Sequence, residues 1–226
     1  MAKNIFRSDF DIHNDTVVIV GSGPNGNTNF HKIPDDAYVI ACNLAIANPI
    51  IKPNAWCVVD PKCFDKHWFI EAQKTFVGDR IFRNNFPEDY LNHPNTYTVD
   101  RENGLSRKTD KFYPEYGEIK AGGTVCATAL QIAYWFGCHG VSHYKDIMDK
   151  PTAEWSFKLG SPAIRLIGVD MNGKGYFDGS KGNMPTFKDG RWSVSADIID
   201  AVVQWMIAKG CDIKSYSPTE IKVEVV

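Results

Sequence analysis

A strong net charge, paired cysteines and long apolar runs are all missing from this sequence. Across 226 residues the formal net charge is only −2, so no global basic field draws the protein to nucleic acid. No stretch approaches the ~18 apolar residues of a membrane span. The N-terminus, MAKNIFRSDFDIHNDT, has no apolar h-region, so we expect no signal peptide, and residues 1–15 read as a short leader. The six cysteines (Cys42, Cys57, Cys63, Cys126, Cys138, Cys211) form no C-x-x-C pair. Several sit inside apolar strand or helix patterns and read as small buried hydrophobes in a reducing compartment, not as a disulfide frame or zinc site. There is no H-x-x-x-H, no H-E-x-x-H and no internal repeat, and the lack of G-x-x-x-x-G-K-[ST] excludes a P-loop kinase. These absences predict a cytoplasmic protein with no metal site.

What is present is an ordinary globular balance, 43% hydrophobic and 23% charged, organised around Thr16 to Asn27, TVVIVGSGPNGN. The run Val17-Val18-Ile19-Val20 suits a parallel strand covered on both faces. It stops at Gly21-Ser22-Gly23-Pro24, where a turn without Cβ atoms lets a ligand approach the backbone and leaves NH groups to face an anion. Further strands are expected at Ala37–Cys42, Ala55–Val59, Arg80–Arg83 and Ala163–Asp170, with closing strands at Ile213–Tyr216 and Ile221–Val226. The 28–36 gap is too short for a full crossover helix of ~10–12 residues. Asp60-Pro61 is a good helix start, and Phe64, Trp68, Ala72 and Phe76 recur at helical spacing behind it. Gly122-Gly123-Thr124 opens a second helix that Gly137 stops, and Val194 to Met206 forms a third, ending at Gly210. The alternation predicts an α/β fold: a mostly parallel sheet with helices on both faces, in one domain over 1–226. Two lid-like excursions, at about 86–121 and 138–162, show no sustained period.

Ligands of such sheets bind outside the carboxyl ends of the strands. The residues delivered there are Gly21, Ser22, Gly23, Asn25, Asn43, Asp60, Asn84, Gly168 and Asn172. Gly21 to Gly26 formally matches G-x-G-x-x-G, a weak signal alone. Pro24 in the loop, the short following segment and Asn43 where a ribose-binding acid would stand all disfavour NAD. Asn43 suits a ribose hydroxyl or base edge, or else closes its own turn. Asp60 suits a sugar hydroxyl, or else caps the helix. Gly123 and Thr124 suit a phosphate at a helix start, or else cap it. Asp170 reads as a structural acid at a strand end. The loop after it mixes Asn172, Lys174, Tyr176, Lys181, Lys188 and Arg191 with glycines, the composition of a flap closing on a phosphorylated ligand, or of solvated loop charge. Of His13, His31, His67, His93, His139 and His143, none sits in a recognisable triad; His143 is the best of them for proton transfer.

The G-x-G-P after the first strand, the Cys42-Asn43 pair, the small-residue helix start and the Gly168-Val169-Asp170 motif before a loop with a Tyr resemble bacterial sialyltransferases acting on lipooligosaccharide. They are similar too to a wider Rossmann-type group that includes hydroxymethylpterin pyrophosphokinases. The resemblance, spread over about 16–60, 118–137 and 163–218, implies a Rossmann-like glycosyltransferase using a CMP-activated sugar, with no cofactor and no metal. By position it implies nucleotide contacts at Gly21, Ser22, Gly23 and Asn43, substrate contacts at Asp60, Gly123 and Thr124, and a phosphate-binding phenol at Tyr176. Ser22 and Asp60 stand where the family has Asn, Asn172 stands for a first Tyr, and no His follows His143 where the family carries its general base. The partners implied are a nucleotide-sugar and a glycan acceptor, with no nucleic acid and no membrane span; homo-oligomerisation is left open. The pterin kinase alternative would need ATP and Mg2+, held by acids such as Asp60 and Asp170. A non-catalytic nucleotide-binding protein is the third reading.

Overall fold

The computed structural model describes residues 2–102, 119–120, 124–138, 163–172, 175–180 and 191–226. Its centre is strand β2 (Thr16–Val20), whose Val17 to Val20 are fully buried. The chain enters through a short strand β1 (Lys3–Asn4) and continues after β2 into β3 (Tyr38–Cys42), β4 (Ala55–Val58), helix α1 (His67–Thr75), β5 (Asp79–Arg83), the single turn α2 (Glu88–Leu91), β6 (Thr96–Val99), and the two-residue β7 (Arg101–Glu102) and β8 (Ile119–Lys120). Helix α3 (Val125–Ile132), β9 (Ala163–Ile167), helix α4 (Arg191–Ala208), β10 (Ile213–Ser215) and β11 (Glu224–Val225) complete it. The main sheet has nine strands in the order β1-β6-β5-β4-β3-β2-β9-β10-β11, and every pair is parallel. This is an α/β fold with a Rossmann-like parallel sheet.

Strand register sets both cores. Val17 lies opposite Tyr38 and Ile164, and Val20 opposite Ala41 and Ile167. Period-two alternation then sends Val17, Ile19, Ile40, Cys42 and Cys57 to a face covered by α3 and α4, which contribute Ala127, Leu130, Ile199 and Val203. The opposite face is covered by α1 at one end, where Phe69 lies 5.2 Å from Trp56, and elsewhere by short 3-10 turns that contribute Phe30 and Ala45. Burying Trp56, Phe69 and Phe82 there stabilises the fold by about 2–3 kcal/mol each on transfer grounds. The β2–β3 connection is made of 3-10 turns at Pro24–Gly26 and Phe30–Lys32, as its length requires. Helix α4 ends where Gly210 takes φ +89° and Cys211 N donates to Met206 O at 3.1 Å.

Three expectations are corrected. The 86–121 excursion is not wholly a lid, because Thr96–Val99 is an internal strand between β5 and β1. Its Tyr, Thr and Asn content hid the two-residue period. The 1–15 leader supplies β1 and a turn whose Ile5 and Phe6 are buried. Asp60 and Pro61 start a separate 3-10 turn, Pro61–Cys63, and α1 begins only at His67. Arg80, fully buried in β5, donates to the carbonyls of Gln73 and Phe76 at the C-terminal end of α1, where the helix dipole favours a cation. Burial pushes its guanidinium down to about 10. The 138–162 excursion lies almost wholly outside the described residues.

Candidate functional site

Strand β3 lies on one side of β2 and β9 on the other, so the carboxyl ends of β2 and β9 flank the switch point where a crevice is expected. The structure closes that half on itself. Gly21 N donates to Ile167 O at 2.8 Å and Gly23 N to Gly168 O at 2.7 Å. Asn25 N donates to the Asp170 carboxylate at 2.8 Å, and Asn25 Nδ2 to Pro218 O at 2.9 Å. Gly168, at φ +65°, donates its own N–H to Ser217 Oγ at 2.9 Å. A Cβ on Gly21 would overlap the Gly168 carbonyl, and one on Gly23 the Asp170 carboxyl. The bare backbone at Gly21 and Gly23 thus admits a neighbouring loop. The expectation that the amides of Gly21, Gly23 and Asn25 face an anion is corrected: each has an acceptor inside the protein. Asp170 is the strand-end structural acid that the sequence reading favoured.

The half beyond β2 and toward β3 and β4 is built differently. Ser22 Oγ donates to Cys42 O at 3.3 Å, tying the glycine loop to the end of β3. The next residue, Asn43, takes φ +49°, a conformation non-glycine residues seldom adopt. Trp56 Nε1 donates to Asn43 O at 3.1 Å and holds that carbonyl. The Asn43 side-chain oxygen is buried with no hydrogen-bond partner among the described residues, an arrangement that costs free energy unless something else supplies a donor. Asp60, exposed at the end of β4, accepts from Lys62 N at 3.0 Å as an N-cap. Its second carboxylate oxygen has no partner in that cap.

Helix α3 brings its N-terminus to the same place. Thr124 is buried in an extended cap conformation without a side-chain capping bond, and Cys126 contacts Cys42. A hydrogen bond from Cys126, then burial, holds the Cys42 thiol well above its ordinary range, with Cys57 adding to it. Gly123 lies outside the described residues, as does His143. Residues 175–180 then fold back over the glycine loop: Phe177 N donates to Ser22 O at 2.9 Å and Asn27 Nδ2 to Phe177 O at 3.0 Å. This places Tyr176 near the β4 turn. Its phenol is pushed above its ordinary value by burial first, then by Cys63, Asp178 and Asp60. Burial, with Asp60 next, pushes the Cys63 thiol up to about 12. Asn172 follows Met171, another left-handed residue at φ +54°.

Ser22, Asn43, Asp60, Thr124 and Tyr176 therefore converge at the ends of β2, β3 and β4, and Gly21, Gly23, Asn25 and Gly168 form the seam beside them. Sequence reasoning missed Trp56 as the group that holds Asn43. The available signal was a Trp inside an otherwise small-residue buried strand, whose N–H must find an acceptor. Among the described residues no group of three or more His, Cys, Asp or Glu side chains could hold a metal ion, and no helix is long and apolar enough to cross a membrane.

The all-parallel main sheet with its polar strand-end edge is a Rossmann-like fold. The whole chain superposes on the MAf glycosyltransferase from Magnetospirillum magneticum AMB-1 with a TM-score of 0.59 and 15% identity, and spans 35% of that protein's length. A sialyltransferase, CST-II, in complex with a trisaccharide acceptor and CMP, matches over 90% of this chain and 81% of its own, with a TM-score of 0.44 and 12% identity. No protein-family model matches the sequence, and no curated protein matches it at a significant level.

Proposed function

We propose that the chain is a glycosyltransferase that takes its sugar from a CMP-activated donor. The observation that carries the proposal is Asn43: a strand-end asparagine in a left-handed conformation, held by Trp56, with a buried side-chain oxygen lacking a donor. A buried acceptor at a strand end with no donor among the described residues is a place where a ligand can supply one, and a cytosine amino group or ribose hydroxyl would do so. Ser22 and Thr124 flank this position and Asp60 offers an acceptor for a sugar hydroxyl. Tyr176, a phenol kept protonated by its surroundings, is suited to donate to the departing phosphate. An acceptor hydroxyl would attack the anomeric carbon as the bond to CMP breaks, its proton passing to a base for which His143 is the candidate. The fold shared with a glycosyltransferase and the sequence resemblance support the same reading. Nothing favours pyrophosphoryl transfer: Asp60 caps a turn and Asp170 is buried against Asn25.

Thermal shift with CMP, ATP and NAD, each with and without Mg2+, tests the donor class. CMP at a hundred times its Kd should stabilise the protein by about 2.7 kcal/mol without metal; a response to ATP with Mg2+ alone, or to none of the three, would remove the proposal. With turnover in hand, His143→Ala should slow it by about a hundredfold or more, and an unchanged rate would discard His143 as the base.

A further inference from the structure

A cleft of about 410 Å3 runs along α1, lined by none of Ser22, Asn43, Asp60, Thr124 and Tyr176. One wall is the 3-10 turn Asn43–Ala47, which contributes Ile46 and Ala47, so the cleft shares a backbone segment with Asn43 itself. The other wall is the face of α1 carrying His67, Trp68, Glu71 and Thr75, residues that i, i+4 spacing places on one side of a helix. Trp68 is fixed from behind, at 6.2 Å from Trp56 and 6.0 Å from Phe69 in edge-to-face contacts, and remains half-buried. The Glu71 carboxylate is steadied by Lys74 Nζ at 2.9 Å, and His67 and Thr75 are exposed.

We propose that this cleft is a second carbohydrate site, one that holds a neutral saccharide of the acceptor glycan, a choice of occupant that rests on the glycosyl-transfer reading above. The volume lies within the range of about 300–1,000 Å3 usual for small-ligand sites. An immobilised indole offers an apolar face for the C–H side of a pyranose ring, and its rigidity keeps the ordering cost low. His67, Glu71 and Thr75 beside it supply hydrogen-bonding partners for ring hydroxyls. The lining contains no Lys or Arg and one carboxylate, which favours a neutral saccharide over a sialic acid. An oligosaccharide anchored here would lie along α1, against the turn that begins at Asn43.

The experiment is a titration of the full chain with lactose and maltotriose, read by saturation-transfer NMR and tryptophan fluorescence, with CMP thermal shift measured in parallel. Ala47→Trp fills the cleft from an exposed position without emptying the core. Trp68→Ala removes the platform, and Trp68→Phe controls for folding. At least one saccharide should bind the wild type. Ala47→Trp and Trp68→Ala should each weaken that binding by about tenfold or more and Trp68→Phe by less, while Ala47→Trp leaves the CMP shift unchanged. No saccharide binding to the wild type, or binding that Ala47→Trp does not alter, overturns the inference. Loss of saccharide binding on Tyr176→Phe rather than Ala47→Trp also overturns it, since the sugar would then sit at the strand ends. Cleft-dependent saccharide binding without any CMP shift supports the cleft and removes only the donor reading.

Discussion

The strand-end edge has two halves that look alike in sequence and differ in chemistry. Around β2 and β9 the loop amides find acceptors within the chain: Gly21, Gly23 and Asn25 donate to Ile167, Gly168 and Asp170 at 2.7–2.8 Å. Around β3 and β4 the buried side-chain oxygen of Asn43 has no partner among the described residues, and the Asp60 carboxylate adds to the raising of the Tyr176 phenol. Glycine-rich loops can meet either a ligand or another loop, since both need the missing Cβ. Only satisfaction of the polar groups separates the cases. A seam that closes on itself contributes to stability, and a half left with unmet hydrogen-bonding capacity is where a ligand gains most.

Breaking the seam should produce the largest effect. In Gly23→Ala the new methyl meets the Asp170 carboxyl and the Gly168 carbonyl, and backbone on one side cannot move without pulling β9 off β2. We expect a loss of about 3 kcal/mol or more, read as a lower denaturant midpoint. Asp170→Ala, which orphans the Asn25 amide, should cost about 2–3 kcal/mol by the same assay. A wild-type-like midpoint for Gly23→Ala would mean the two loops are not packed as described.

Asn43 should behave in the opposite sense. Glycine adopts the left-handed conformation at no steric cost, and Asn43→Gly also deletes the unpartnered oxygen, so stability should change by less than about 1 kcal/mol. The CMP-induced shift should nevertheless disappear. A variant that keeps both its stability and its CMP shift would place the nucleotide elsewhere, and one that loses both would make Asn43 part of the structural half. Tyr176→Phe sharpens the contrast: its stability should stay within about 0.5 kcal/mol of wild type while turnover falls by about a hundredfold.

Much of the fold is legible in the sequence, for a physical reason. The central strands β2, β3 and β4 are covered on both faces and so are written as unbroken apolar runs such as Val17 to Val20 and Tyr38 to Cys42. Strands β1 and β6 carry Lys3, Asn4, Thr96 and Thr98, and a two-residue edge strand has no pattern to read. The Asp60-Pro61 signal is genuine, but a capped start fits a 3-10 turn as well as an α-helix. Within the site, Asn43, Asp60 and Tyr176 could be nominated because topology alone sends strand ends to one edge. The fate of Gly21 and Gly23 could not be read, because it depends on the approach of a loop nearly 150 positions away. Trp56 reached the site through a hydrogen bond to backbone, an interaction that leaves no residue-type signature.

The smallest effect is the most direct check that the open half is one site. Burial does most to raise the Tyr176 phenol, and Asp60 adds to it less than Cys63 and Asp178 do. Replacing Asp60 by Asn removes a negative charge from beside the phenol, which makes the phenolate easier to form, so the Tyr176 titration followed at 295 nm should move toward lower pH. Because the folded phenol is held above its ordinary value, its contribution to stability is intact below the unfolded tyrosine's pKa and is lost as pH rises through the folded one. Asp60→Asn should therefore make that alkaline loss end at lower pH and be smaller in total, its onset at the unfolded tyrosine's pKa unchanged, while neutral-pH stability changes only by the weaker cap, a few tenths of a kcal/mol up to about 1. If the tyrosine titration does not respond to residue 60, the two groups do not share an electrostatic environment, and Asp60 leaves the site while Asn43 remains in it.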